Sequence, residues 1–89
     1  MIIEISRAFV KDVKPLPKHS KKIILSVINE IESAGMPFDI KECSKLKGVE
    51  DLYRIRRGNY RITFKHDGSS AVLKRVLARG QIYKKHNIR

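Results

Sequence analysis

Leu52-Tyr-Arg-Ile-Arg-Arg-Gly-Asn-Tyr-Arg-Ile-Thr-Phe64 is the stretch that decides how this chain folds. Tyr53, Ile55, Ile62 and Phe64 alternate with Arg54, Arg56, Arg61 and Thr63, the period-2 pattern of a half-buried strand pair. Gly58-Asn59 is a two-residue connection of residue types that tolerate positive φ, so the pattern predicts a tight β-hairpin. That turn sets the register. Arg57 faces Tyr60, Arg56 faces Arg61, Ile55 faces Ile62, Arg54 faces Thr63 and Tyr53 faces Phe64. Like charges directly opposite one another destabilise a sheet. A face that sets Arg56 against Arg61, with Arg54 beside them, therefore gives up stability, and a bound polyanion is the usual reason.

The charge of the whole chain agrees. Eighty-nine residues make one small domain, 1–89, with 42% hydrophobic and 33% charged residues and a net charge of +11. The first half, residues 1–44, has seven Lys/Arg and six Asp/Glu, a net of +1; residues 45–89 have thirteen and three, a net of +10. The basic half is the half with the arginine hairpin. Such asymmetry points to nucleic acid or an acidic protein partner. A membrane partner is not expected, because the basic residues fall on predicted strands and no apolar run is long enough to span. Met1-Ile-Ile-Glu-Ile5 lacks the basic start and cleavage site of a signal peptide, and the single Cys43 fits a reducing cytoplasm.

Upstream, residues 1–5 read as a strand. Ser6 is placed to cap a helix running to about Lys14, with Phe9, Val10 and Val13 on its apolar side. Pro15-Leu16-Pro17 breaks it, and a second helix is predicted from about Pro17 to Ala34. Its Ile23, Ile24, Val27, Ile28 and Ile31 form one stripe. Residues 35–51 are expected to be a loop. Asp67-Gly68 predicts a second turn, leading into a strand at about 70–77; a two-residue turn there sets Arg61 against Lys74 and Ile62 against Leu73, whereas a bulge reverses the assignment. The expected fold is α+β: β-α-α-β-β-β, an antiparallel sheet with an N-terminal αα-hairpin on one face and a basic open face on the other.

In that order of elements, Lys45-Leu-Lys-Gly48, Tyr53-Arg-Ile-Arg56, Asn59-Tyr-Arg-Ile62 and the span Val76–Tyr83, with Arg79 four residues before Tyr83, resemble the RelE/ParE superfamily of toxins from type II toxin–antitoxin systems. The resemblance covers most of the chain. It implies a toxin held inactive by an acidic cognate antitoxin in a hetero-oligomer. It also implies one of two activities: RelE-like cleavage of mRNA in the ribosomal A site, which makes ribosome and mRNA the partners, or ParE-like inhibition of DNA gyrase. A basic RNA-binding protein without catalysis is the remaining reading of the charge.

Metal-independent RNA cleavage needs a proton removed from the 2′-hydroxyl, another delivered to the leaving 5′-oxygen, and charge stabilised on the phosphorane. Arginine suits the last task, since it stays charged and grips phosphate oxygens bidentately. The resemblance places Arg54, Arg56, Arg61 and Arg79 at the scissile phosphate; Lys45 and Lys47 are further phosphate contacts, Lys74 joins the arginine face if the second turn has two residues, and Arg57 is a further RNA-binding candidate. Where some relatives carry lysines this chain has Arg54 and Arg56, and arginine cannot serve as a base. Tyr83 is the first candidate for proton transfer if neighbouring arginines lower its pKa, although a tyrosine there can simply dock the C-terminal segment. His86 is the second, and Glu50 or Asp51 could supply a carboxylate. Three scattered histidines and one cysteine have no zinc-ligand spacing, so neither a metal nor a cofactor is expected.

Overall fold

The computed structural model describes residues 1–46, 48 and 51–78. Strand β1 (Ile2–Ile5) leads into helices α1 (Arg7–Val13) and α2 (Lys18–Ser33), then a 3-10 turn (Pro37–Asp39), and strands β2 (Cys43–Lys45), β3 (Leu52–Arg57), β4 (Tyr60–His66) and β5 (Ser70–Ala78). The five strands form one sheet in the order β1-β5-β4-β3-β2. All neighbours are antiparallel except β1 and β5, which pair in parallel with Ile2 opposite Ser70 and Ile5 opposite Leu73.

The helices begin and end where their residues dictate. Ser6 takes an extended backbone, and its Oγ accepts the Phe9 N–H at 3.1 Å, so α1 is capped by a side chain. Pro17 precedes α2 and Ala34 closes it. Ile24, Val27 and Ile31 are fully buried on its inner stripe, whereas Ile23 and Ile28 lie at the margins. On α1, Phe9 enters the core and Val10 stays exposed. The helices cover one sheet face, which contributes Tyr53, Ile55, Ile62, Phe64, Ala71, Leu73 and Val76 to the core. Tyr60 reaches the same layer, where its hydroxyl donates to the buried Ser20 Oγ at 2.8 Å.

The β3–β4 register is the one the turn dictates, from Arg57 opposite Tyr60 to Tyr53 opposite Phe64. Gly58 takes φ +57°, and Asn59 does not adopt positive φ, so only the first turn residue uses the left-handed region.

Two expectations are corrected. The segment 35–51 is not wholly loop: Cys43–Lys45 adds a short edge strand to β3, with Ser44 opposite Arg54. A three-residue edge strand has no periodicity to read. The second correction concerns β5. Asp67 and Ser70 bracket Gly68-Ser69, with the Asp67 N–H donating to the Ser70 carbonyl at 3.1 Å. Further along, the register shifts between Thr63 and Phe64: Phe64 faces Leu73 but Thr63 faces Arg75. Arg61 is thus opposite Leu77, Ile62 is opposite Val76, and Lys74 is the extra residue of a β-bulge with no residue facing it.

Candidate nucleic-acid interface

The sheet face turned away from the helices carries the basic residues that the alternation placed there. One cross-strand row reads Arg56, Arg61, Leu77; the next reads Ser44, Arg54, Thr63, Arg75. The Arg56–Arg61 juxtaposition is real, and two guanidinium groups share one side of a tight hairpin. Arg61 Nη1 donates to the Tyr60 carbonyl at 3.2 Å. Arg54 is partly buried, and its Nε is a fully buried donor with no hydrogen-bond partner. Leaving such a donor unmet costs about 1–3 kcal/mol. An anionic oxygen arriving at this face would lie close to the opposed Arg56–Arg61 pair, and a shift of the Arg54 side chain would bring its Nε into reach.

Other predicted contacts fall elsewhere. Arg57 continues the row of Tyr53 and Ile55, on the helix side. Its Nη2 pairs with Glu30 Oε1 of α2 at 2.6 Å, and its Nη1 donates to the Lys41 carbonyl at 3.1 Å. Arg57 is thus a tie between hairpin and helix, not a member of the arginine face. Lys45 is exposed on β2 opposite Tyr53, which also puts it in a helix-side row at the sheet edge. Lys74 is exposed, but at the bulge rather than opposite Arg61. Lys47, Glu50, Arg79, Tyr83 and His86 lie outside the described residues.

Two acidic residues carry weight that the sequence did not disclose. Besides Glu30, Asp12 of α1 accepts from Arg75 Nε at 2.7 Å and Nη2 at 3.0 Å, and from the Val76 N–H at 2.9 Å. The hydrogen bond to Asp12 raises the Arg75 pKa still further. No local signal links residues more than sixty positions apart. The parity of Arg57, by contrast, was available from the same alternation that placed Tyr53 and Ile55.

His66 Nε2 lies 2.8 Å from the Gly68 carbonyl, and its ring meets Tyr53 edge-on at 6.2 Å, so it serves the turn. Cys43 is half-buried, and burial pushes its thiol pKa up to about 11, with the Arg57 charge opposing the rise. A thiol in that state is a poor nucleophile at neutral pH. Among the described residues, no group of three or more His, Cys, Asp or Glu is placed to hold a metal ion, and no helix is long and apolar enough to cross a membrane.

With this geometry in place, the chain can be set beside known proteins. A family model described as the ParE toxin of the type II toxin–antitoxin system parDE matches residues 3–83. Toxin RelE3 of Methanocaldococcus jannaschii is 39% identical over 84 residues, spanning 93% of this chain and 96% of that protein. This chain belongs to the RelE/ParE toxin family. The crystal structure of a RelB-RelE antitoxin-toxin complex from Methanococcus jannaschii contains a similar fold: TM-score 0.79, 36% identity, covering 92% of this chain and 96% of that one. An archaeal RelE-RelB complex from Pyrococcus horikoshii OT3 is also similar, with TM-score 0.73 and 26% identity over 90% of this chain and 96% of that chain. Two helices packed on one face of a mostly antiparallel sheet are the architecture this chain shares with those structures.

Proposed function

We propose that this chain is the toxin of a type II toxin–antitoxin pair and acts as a ribosome-dependent endoribonuclease on mRNA in the A site. The observation that carries the reading is the arginine face: Arg56 opposed to Arg61, next to Arg54 with a buried, unpartnered Nε. Like charges set opposite one another cost stability that a bound anion offsets. Membership in the toxin family supports the biological role. The occurrence of similar RelE chains in complexes with RelB supports an antitoxin partner for this one.

In the proposed reaction the substrate's 2′-oxygen attacks the adjacent phosphorus as its proton passes to a base. The bond from phosphorus to the 5′-oxygen breaks, and that oxygen receives a proton. The products are a 2′,3′-cyclic phosphate and a 5′-hydroxyl. Arg54, Arg56 and Arg61 stabilise the charge that builds on the phosphorane oxygens. Arg79 adds to them, Tyr83 or His86 transfers the protons, and Lys45, Lys47 and Lys74 hold flanking phosphates. Arg57, committed to Glu30, is left out of this assignment.

The test is a purified ribosome programmed with a defined A-site codon, with RNA fragments mapped for wild type, Arg61→Ala, Arg79→Ala and Tyr83→Phe. Cleavage within the A-site codon by wild type, with loss in the variants on the order of 100-fold or more, is expected. A second reading is favoured by the description of the matching family model: a gyrase-inhibiting toxin. It predicts intact RNA, blocked supercoiling, and indifference to Tyr83→Phe. If neither RNA nor supercoiling is affected, a non-catalytic basic RNA-binding role remains.

A further inference from the structure

β5 lies inside the sheet, but only its first half has a strand on each side. β1 stops at Ile5, opposite Leu73. From there α1 takes over the outer edge of β5. The Ser6 N–H donates to the Leu73 carbonyl at 3.1 Å, and Ser6 Oγ donates to the Lys74 carbonyl at 3.1 Å. The Val76 N–H donates to Asp12 Oδ2 at 2.9 Å, and the Arg75 guanidinium closes on both Asp12 oxygens. These bonds converge on the bulge at Lys74.

The bulge decides which side of the sheet each later residue of β5 occupies. As built, Val76 is in the core and Leu77 joins the row of Arg56 and Arg61. Removing one residue of shift would set Arg75 opposite Ile62 in the core row and Val76 opposite Arg61. The backbone groups that β5 presents on its outer edge beyond the end of β1, directly across the strand from the bulge, are met by Ser6 and by Asp12 of α1. A carboxylate fits this position because it accepts from a backbone N–H and a guanidinium at once.

We propose that Asp12 is a positioning residue for the arginine face: with Ser6 it locks the β5 bulge and thereby sets the sidedness of β5 from Arg75 to Ala78. Its catalytic consequence rests on the endoribonuclease reading; its structural consequence does not.

The experiment compares Asp12→Ala, Asp12→Asn and Arg75→Met with wild type. It measures amide exchange at Val76 and A-site cleavage at saturating toxin, under conditions where circular dichroism shows each variant folded. In Asp12→Ala, Val76 is expected to exchange roughly tenfold faster as it loses its acceptor. The cleavage kcat is expected to fall on the order of 100-fold with KM nearly constant, the signature of misplacement rather than lost binding. Arg75→Met, which keeps the bond from Val76 to Asp12, should leave the Val76 exchange rate within about threefold of wild type. If Asp12→Ala does not fold, Asp12→Asn carries the test, with a smaller loss in the same direction. A folded Asp12 variant that cleaves like wild type, or an Arg75→Met variant whose Val76 exchanges as fast as in Asp12→Ala, overturns the proposal. If wild type cuts no RNA, the function reading falls by itself; unchanged Val76 protection in Asp12→Ala then refutes the clamp, and faster exchange upholds it.

Discussion

The two sides of this sheet treat arginine differently. On the helix side and at the β5 edge, Arg57 and Arg75 end on carboxylates of the helices, Glu30 and Asp12. On the open side, among the described residues, no ion pair engages Arg54 or Arg56. Glu30 meets Arg57 on the helix side, and Asp12 reaches the β5 edge to meet Arg75, the end of the row that runs through Arg54 and Thr63. A protein that needed its arginines only for solubility would have no cause to pack two of them opposite each other and bury a third donor unmet. The contrast separates Arg57 and Arg75, which are tied to helix carboxylates, from Arg54 and Arg56, which carry no ion pair among the described residues.

Substitutions on the two sides should therefore have opposite signs. Phe64→Ala, at a fully buried core position, is expected to lower unfolding free energy by about 3–5 kcal/mol, measured by urea denaturation. Arg54→Met is expected to raise stability by about 1 kcal/mol by removing the orphaned donor, while weakening RNA binding; a loss of stability would mean that Arg54 has a structural partner after all. Arg56→Thr relieves the facing charges and should stabilise by about 0.2–1 kcal/mol, and the slope of log affinity for RNA against log salt should become shallower by about one.

Glu30→Gln on the helix side should cost under about 1 kcal/mol, since the pair is partly exposed, and should leave Arg57 free to bind RNA non-specifically. A further contrast, confined to alkaline pH, concerns Cys43. Its thiol pKa is raised from 9.0 to about 11 in the folded state, so the neutral form is favoured by folding. That contribution is complete below pH 9 and is lost as pH rises toward about 11. Denaturation across this range should show a shallower decline for Cys43→Ala than for wild type.

These contrasts also explain what could be read from residues alone. The β3–β4 hairpin was legible because its turn and alternation are contiguous, and the two helices because Ser6, Pro17 and the isoleucine stripe are local signals. The family resemblance rested on the same contiguous segments. The Lys74 register was not legible, because the bulge depends on Asp12 and Ser6, far away in sequence. β2 was missed because Cys43-Ser-Lys45 is a strand only by virtue of β3 beside it. Arg57 was misassigned by counting charge where parity should have ruled: positions 53, 55 and 57 share a side. Asp12 and Glu30 were passed over because a lone acid on a helix says nothing of which strand it will meet.

The parallel pairing of β1 with β5 bears on the order of events during synthesis. Ile2 waits for Ser70, so β1 cannot settle until β5 is available, and the intervening chain must be closed as a loop. Meanwhile β4, the inner support of the arginine face, lacks one neighbour, and the helices lack much of the floor they cover. A chain interrupted before β5 therefore has a basic hairpin but no sheet to brace it. The sheet that carries the arginine face is therefore completed only once β5 has been made, and until then the basic hairpin lacks its inner neighbour.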